Sequence, residues 1–187
     1  MNKRQSIPFI VLLIAFVFWI YVEPEVELPT LSDHHPSYIA VQVKSNHFDE
    51  FGFNDYRVFA DKMTNFPEDD ITLFEKPKII FYNKDKKTGV VTVWQLTSLE
   101  GKLKEEYNLL LSGDVLVENL SKDKIVQTMA TEQATVMLDS KEITSEKKVI
   151  WTGPTLRQEG VGLWASMVTE EMKLNSNTKA VYLNESK

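Results

Sequence analysis

The 187-residue sequence contains no cysteine, which rules out a disulfide framework and a cysteine nucleophile. A domain of this size must then hold itself together through its own core and hydrogen-bond ladders. Histidine is nearly as scarce, with three: His34, His35 and His47. Glycine occurs seven times and never in a Walker-type loop; Gly160 and Gly162 are far too little for a nucleotide cradle. There is no G-x-S-x-G elbow. Positive charge is in deficit too, with 21 basic against 27 acidic residues. Setting Lys3 and Arg4 aside leaves 19 basic residues facing all 27 acids. A basic footprint for nucleic acid is therefore missing, and binding through phosphate charge is disfavoured.

What is present begins with Ile7 to Val22, sixteen residues without a charge. As a helix at ~1.5 Å per residue this run is roughly 24 Å long, which spans a core of ~30 Å with help from its flanks. Trp19 and Tyr21 sit where interfacial aromatics belong. Lys3 and Arg4 precede the run and Glu23, Glu25 and Glu27 follow it. The positive-inside bias thus places residues 1–6 in the cytoplasm and the bulk of the chain outside. A cleaved secretory signal is the competing reading. Phe18-Trp19-Ile20-Tyr21-Val22 offers bulky residues where cleavage wants small ones, so an uncleaved single-pass transmembrane helix over 7–22 is expected. Glu23 to Pro36 carries three prolines and alternating acids. Residues 23–37 read as an extended spacer and 38–187 as one domain.

Past the spacer the apolar residues alternate, which predicts an all-β domain. Expected strands are Tyr38 to Val43, Tyr56 to Phe59, Ile71 to Phe74, Lys78 to Tyr82, Val90 to Leu96, Leu109 to Leu111, Val115 to Val117, Ala134 to Leu138, Val149 to Trp151 and Lys179 to Leu183. Each is rich in β-branched or aromatic residues. Asn83 to Gly89 reads as a hairpin loop. Leu99 to Glu106 could instead form a turn of helix. A weak repeat of strand, turn and strand aligns Leu73 to Ile79 with Leu110 to Leu116 and Ile150 to Leu156. An ordinary meander with Gly and Pro in its turns is the alternative.

One rival class is an enzyme or metal-dependent binding module using Asp33-His34-His35 with His47. Adjacent histidines point in opposite directions on an extended chain, and Pro36 keeps the pair in the spacer, which argues against a metal site. Asp69-Asp70 and Glu105-Glu106 fall in expected turns, where carboxylates are ordinarily solvated.

Val58-Phe59-Ala60-Asp61-Lys62-Met63, Leu73-Phe74-x-x-Pro77, Trp94-x-Leu96 and Leu109-x-Leu111-x-Gly113-x-Val115-x-Val117 together resemble the LptC family over about residues 48 to 174. None of these motifs is catalytic. The resemblance implies a twisted open β-jellyroll (OstA/LptA-like) in the periplasm, anchored in the inner membrane by one helix. It implies a non-enzymatic, cofactor-free part in lipopolysaccharide export, with lipid A acyl chains lying in a slot between two layers. The implied partners are the LptB2FG ABC transporter, met by the anchor helix and by strand pairing with the periplasmic domain of LptF, and LptA, met at the C-terminal edge.

In an acidic domain, affinity for such a ligand must come from acyl chains, at about 0.8 kcal/mol per buried methylene. Candidates to line the groove are Phe74, Phe81, Trp94, Leu96, Leu109, Leu111, Val115, Val117 and Trp151. Phe74 also matches a family position that faces the cavity. Gly52 and Gly160 line up with family glycines important for assembly, with turn duty as their ordinary explanation. Val181 and Tyr182 stand on the edge expected to meet LptA.

Overall fold

The computed structural model describes residues 35–85 and 88–182. The expected cytoplasmic start, the helix over 7–22, His34 and most of the spacer lie outside the described residues. Among those described, no helix is long and apolar enough to cross a membrane. The fold is all-β, as alternation predicts: eleven strands and one short 3-10 turn, Pro67–Asp69. The strands are β1 Tyr38–Phe48, β2 Asn54–Phe66, β3 Ile71–Glu75, β4 Lys78–Lys84, β5 Val91–Thr97, β6 Glu100–Lys104, β7 Asn108–Asn119, β8 Thr128–Met137, β9 Glu142–Thr152, β10 Leu156–Ser166 and β11 Glu171–Tyr182.

All pairings are antiparallel and join the strands into one sheet. The sheet is folded on itself. On β2, Tyr56 to Phe59 pair with β4 while Lys62 to Phe66 pair with β3. On β7, Leu116 to Asn119 pair with β5 while Asn108 to Ser112 pair with β6. One leaf therefore holds β4 and β5, the other β3 and β6, and the long strands β1, β2 and β7 to β11 run through both. This arrangement is consistent with a jellyroll-like fold.

The line where the strands cross between leaves forms a spine. Strands bend there through residues in the left-handed region: Gln42 (φ 51°), Lys76 (φ 47°), Gly113 (φ 73°), Asp114 (φ 50°), Gly162 (φ 78°) and Asn177 (φ 51°). Ladder register shifts at the same places on β7, β8, β9 and β10. These are bulges, which bend a strand and raise its twist. Backbone bonds close the spine, from Lys76 N–H to the Leu99 carbonyl (2.7 Å) and from Leu99 N–H to Gly113 (2.9 Å).

Leu99 to Glu106 is not a helical turn. Leu99 belongs to the spine, Glu100–Lys104 is a strand, and Glu105 and Glu106 turn the chain with φ 55° and 60°. Gly101 lets β6 lie against Pro77, since a Cβ there would stand 3.1 Å from the Pro77 ring. Nor do the three repeat units correspond. Leu73 to Ile79 and Leu110 to Leu116 cross the spine, the second within one unbroken strand, whereas Ile150 to Leu156 is a hairpin at the far end of a leaf.

Strand alternation sends one face of each leaf inward. On β4 it buries Ile79 and Phe81, on β7 Leu109, Leu111, Val115 and Val117, on β8 Met129, Ala134 and Val136. Side chains of both leaves meet in one core cluster. Opposite the spine the leaf ends approach each other along a seam. Three polar contacts bridge it: the Lys141 ammonium with the Asp55 carboxylate, the Asn83 amide donating to the Met167 carbonyl (2.8 Å), and Lys124 with Glu170 (2.7 Å). At the sides of the sheet, among the described residues β1 pairs only with β2 and β11 only with β10, so each leaves one backbone edge unpaired there.

Candidate functional site

The nine residues expected to line a groove all fall in the core cluster. Their packing divides them. Phe81, Leu96 and Leu111 are fully sequestered and Val115 and Val117 nearly so. Phe74 and Leu109 border an apolar crevice of about 230 Å³ next to the β1 edge, shared with Val43, Tyr56, Met63 and Leu138. Trp94 and Val117 border a second space of only about 10 Å³, under the β10–β11 turn. Trp151 sits in the core with 7% exposure.

An aromatic stack marks the end of the crevice nearest the β1–β2 turn. His47 lies on Tyr56 with ring centroids 4.6 Å apart, and Tyr56 leans on Phe81 at 5.7 Å. Burial, helped by the nearby Asp55, Tyr107 and Asp139, holds the Tyr56 hydroxyl above the usual phenol range, so it stays neutral at ordinary pH. Val43 and Tyr56 fall in strands expected from the sequence, but neither was among the candidates to line the groove.

Among the described residues three buried side-chain polar atoms lack a partner: the indole N–H groups of Trp94 and Trp151, which have no acceptor, and the Asn119 Oδ1. Buried donors of that kind each cost about 1–3 kcal/mol. The seam is better satisfied. Asp123 accepts from the Thr92 hydroxyl (2.7 Å) and the Asn119 amide (3.0 Å). Burial would raise its carboxyl, but these bonds and Lys124 hold it below the usual range. Glu170, by hydrogen bond and charge, raises the Lys124 ammonium against its burial.

Gly52 and Gly160 have different duties. Gly52 closes the β1–β2 turn at φ 80°, and a Cβ there would meet open space. The Asp49 carboxylate fixes that turn by accepting from the N–H groups of Phe51 (3.0 Å) and Phe53 (2.8 Å). Gly160 is no turn residue. It lies inside β10 at the bulge facing β11, where a Cβ would stand 2.9 Å from the Leu174 side chain and 3.1 Å from the Ser176 carbonyl. Val181 and Tyr182 are exposed at the end of edge strand β11, opposite Arg157 and Leu156. Among the described residues no group of three His, Cys, Asp or Glu comes together to hold a metal. His47, engaged with Tyr56, is occupied in packing.

Among the described residues, a single antiparallel sheet folded into two leaves, apolar between them and unpaired at both sides, defines a class of all-β protein built around an apolar interior. The chain belongs to the LptC family: the model of that family, described as lipopolysaccharide-assembly, LptC-related, matches residues 8–183. It is similar to the lipopolysaccharide export system protein LptC of Haemophilus influenzae, 25% identical over 200 residues that cover 97% of this chain and 95% of that one. The protein of the same name from Escherichia coli K12 is 23% identical over 191 residues, with the same coverage of both.

Proposed function

We propose that the chain is a non-enzymatic component of the lipopolysaccharide export machine, which takes lipid A acyl chains between its leaves and passes them along the sheet. In this reading the folded sheet is a twisted open β-jellyroll standing in the periplasm. Residues 7–22 anchor it in the inner membrane beside the LptB2FG transporter, with 1–6 in the cytoplasm and 23–37 as the tether. The β1 edge pairs with the periplasmic domain of LptF and the β11 edge with LptA. Strand addition of this kind is head-to-tail and generates extended assemblies.

The observation that carries the proposal is the apolar crevice beside an unpaired edge. A space of about 230 Å³ takes about seven groups of ~30 Å³. At ~0.8 kcal/mol per buried methylene, filling it contributes about 5 kcal/mol before the cost of association is subtracted. That is a grip from which a carrier can release its load. Family membership and the absence of a basic footprint support the same reading.

A photo-crosslinking residue at Phe74, which borders the crevice, tests it against one at Leu73, the outward neighbour on β3 with 41% exposure. Lipopolysaccharide adducts in cells are expected at position 74 and not at 73. Repeated absence of adducts at 74, in a chain that is folded and inserted, would overturn the proposal.

A further inference from the structure

The outer face of the sheet carries a groove that acyl-chain transport leaves unused. Thr135, Thr144, Trp164 and Lys173 form one cross-strand row over β8, β9, β10 and β11, each paired with the next. Their strand neighbours Ala134, Val136, Ile143, Leu163 and Ala165 are buried, so alternation turns the row outward. Beside it the ladders are interrupted, between Thr131 and Thr135 on β8 and between Val161 and Leu163 on β10. These bulges leave a concave space of about 510 Å³, completed by Gln133, Glu146, Lys147 and Asn175. Small-molecule sites occupy ~300–1,000 Å³.

The walls of this groove are fixed while its polar ends are free. The Ser145 hydroxyl donates to the Gln133 carbonyl (2.6 Å) and accepts from the Lys147 N–H (3.1 Å). Asn175 lies against Gly162, where a Cβ would stand 2.7 Å from the Asn175 amide nitrogen. The Lys173 ammonium sits 5.1 Å from the centre of the Trp164 ring. Among the described residues, the side chains of Gln133, Thr135, Thr144 and Asn175 make no hydrogen bond, and Glu146 and Lys147 make no ion pair.

An aromatic ring set among uncommitted amides and hydroxyls is selective. An acyl chain would strand those polar groups without partners. A phosphate would meet Glu146 beside Lys147, whose charges cancel. An added peptide strand finds no edge, because β8, β9 and β10 each have a partner on both sides. A sugar satisfies every wall: its C–H face rests on the electron-rich face of the indole, and its hydroxyls donate and accept as the amide and threonine groups do. From Thr135 to Trp164 is two strand spacings, about 10 Å, which leaves room for more than a single ring.

We propose that this groove binds an oligosaccharide, with Trp164 as the stacking platform and Gln133, Thr144 and Asn175 as partners of its hydroxyls. The row points away from the core, so the proposal does not depend on acyl chains lying between the leaves. The same chemistry has two sources, an N-acetylated glycan strand and the saccharide of lipopolysaccharide itself.

The sequence has four tryptophans, at 19, 94, 151 and 164, and 5-fluorotryptophan gives each its own fluorine resonance; Trp164→Phe assigns the one in the groove. The full-length chain is held in phosphatidylcholine nanodiscs, which avoid detergents with sugar heads. It is titrated with chitotetraose and, separately, with the oligosaccharide freed from lipopolysaccharide by mild acid, which carries no acyl chain. At least one of the two should shift the Trp164 resonance with saturation below about 10 mM, leaving Trp94 and Trp151 unmoved. A response to chitotetraose alone assigns the glycan, to the freed oligosaccharide alone the lipopolysaccharide saccharide, and to both a site open to either. Asn175→Ala should weaken binding at least threefold. Trp164→Ala, followed by saturation transfer to the sugar, should weaken it at least tenfold. No shift at Trp164 with either saccharide, a shift shared by Trp94 and Trp151, or one indifferent to Asn175→Ala overturns the proposal. If Trp164→Ala unfolds, seen as collapse of the Trp94 and Trp151 resonances, Asn175→Ala decides.

Discussion

The Asp55–Lys141 pair offers the sharpest energetic test of the seam. Lys141 sits in the β8–β9 turn with its side chain 11% exposed, and Asp55 at the start of β2 with 22%, so both charges are largely out of water. Removing one partner of a buried pair costs about 3–5 kcal/mol, since the other is left buried and unpaired. Asp55 retains some solvent, which brings the figure here to about 2–3 kcal/mol for Lys141→Met. Asp55→Leu should cost about as much. The double variant replaces two desolvated charges with two apolar groups and should fall within about 1 kcal/mol of the parent, a coupling of at least about 3 kcal/mol.

Methionine suits position 141 because it is unbranched, and the backbone there holds φ 56°. Residues from His34 onward form one compact unit, and urea unfolding of that unit is the assay. With a slope of about 2 kcal/mol/M, each single change should lower the midpoint by about 1 M and the double change by less than about 0.5 M. Single variants that leave the midpoint within about 0.2 M of the parent would show that the pair stabilises nothing. A double variant as weak as the sum of the singles would show that the two charges do not interact.

Phe74→Ala should sit at the low end of Phe-to-Ala costs, about 3 kcal/mol, because the adjoining crevice already relaxes the packing; lipid adduct yield read from Met63 should fall while circular dichroism keeps its β signature. Gly160→Val should loosen β11 by about 1–3 kcal/mol, read as faster amide exchange from Leu174 to Ser176, with loss of LptA from pull-downs. Gly52→Ala pays only the strain of positive φ, about 1 kcal/mol, and should leave β11 exchange untouched. The Asp123 carboxyl lies below its unfolded value of ~3.9, so its contribution is present above about pH 4 and is lost as pH falls through the folded value. The stability gap between parent and Asp123→Asn should therefore narrow from pH 5 to pH 2, in thermal melts. Lys124, raised, keeps its contribution throughout that range and loses it only in strong alkali.

The central strands were legible in the sequence because β-branched and aromatic residues alternate cleanly there. Ile79 and Phe81 on β4, or Leu109 to Val117 on β7, announce an inward face at every second position. β10 was not legible. Arg157, Gln158 and Glu159 followed by two glycines look like a loop, yet Gly160 and Gly162 are there because Leu174 and Asn175 of the neighbouring strand leave no room for a side chain. Strand lengths were underestimated for a related reason. A strand that bends at the spine breaks its own alternation, so one twelve-residue element such as β7 reads as two short ones.

Among the glycines, the family resemblance singled out 52 and 160, while the repeat pattern gave Gly153 only a turn, where a Cβ would run into the Ile125 carbonyl. That approach is made by a loop close in space and distant in sequence. The nine apolar candidates lie in the core cluster. Which of them border space depends on how the leaves cross, and period-two alternation carries no information about that.

The spine works as a binding does in a book. Because the long strands run unbroken through the fold, the covers can swing apart by small torsions at Gln42, Lys76, Gly113, Gly162 and Asn177 while each page keeps its ladder intact. Compliance is thus distributed along a hinge line, and stiffening one joint, for instance by a branched residue at 113, would restrain the whole volume.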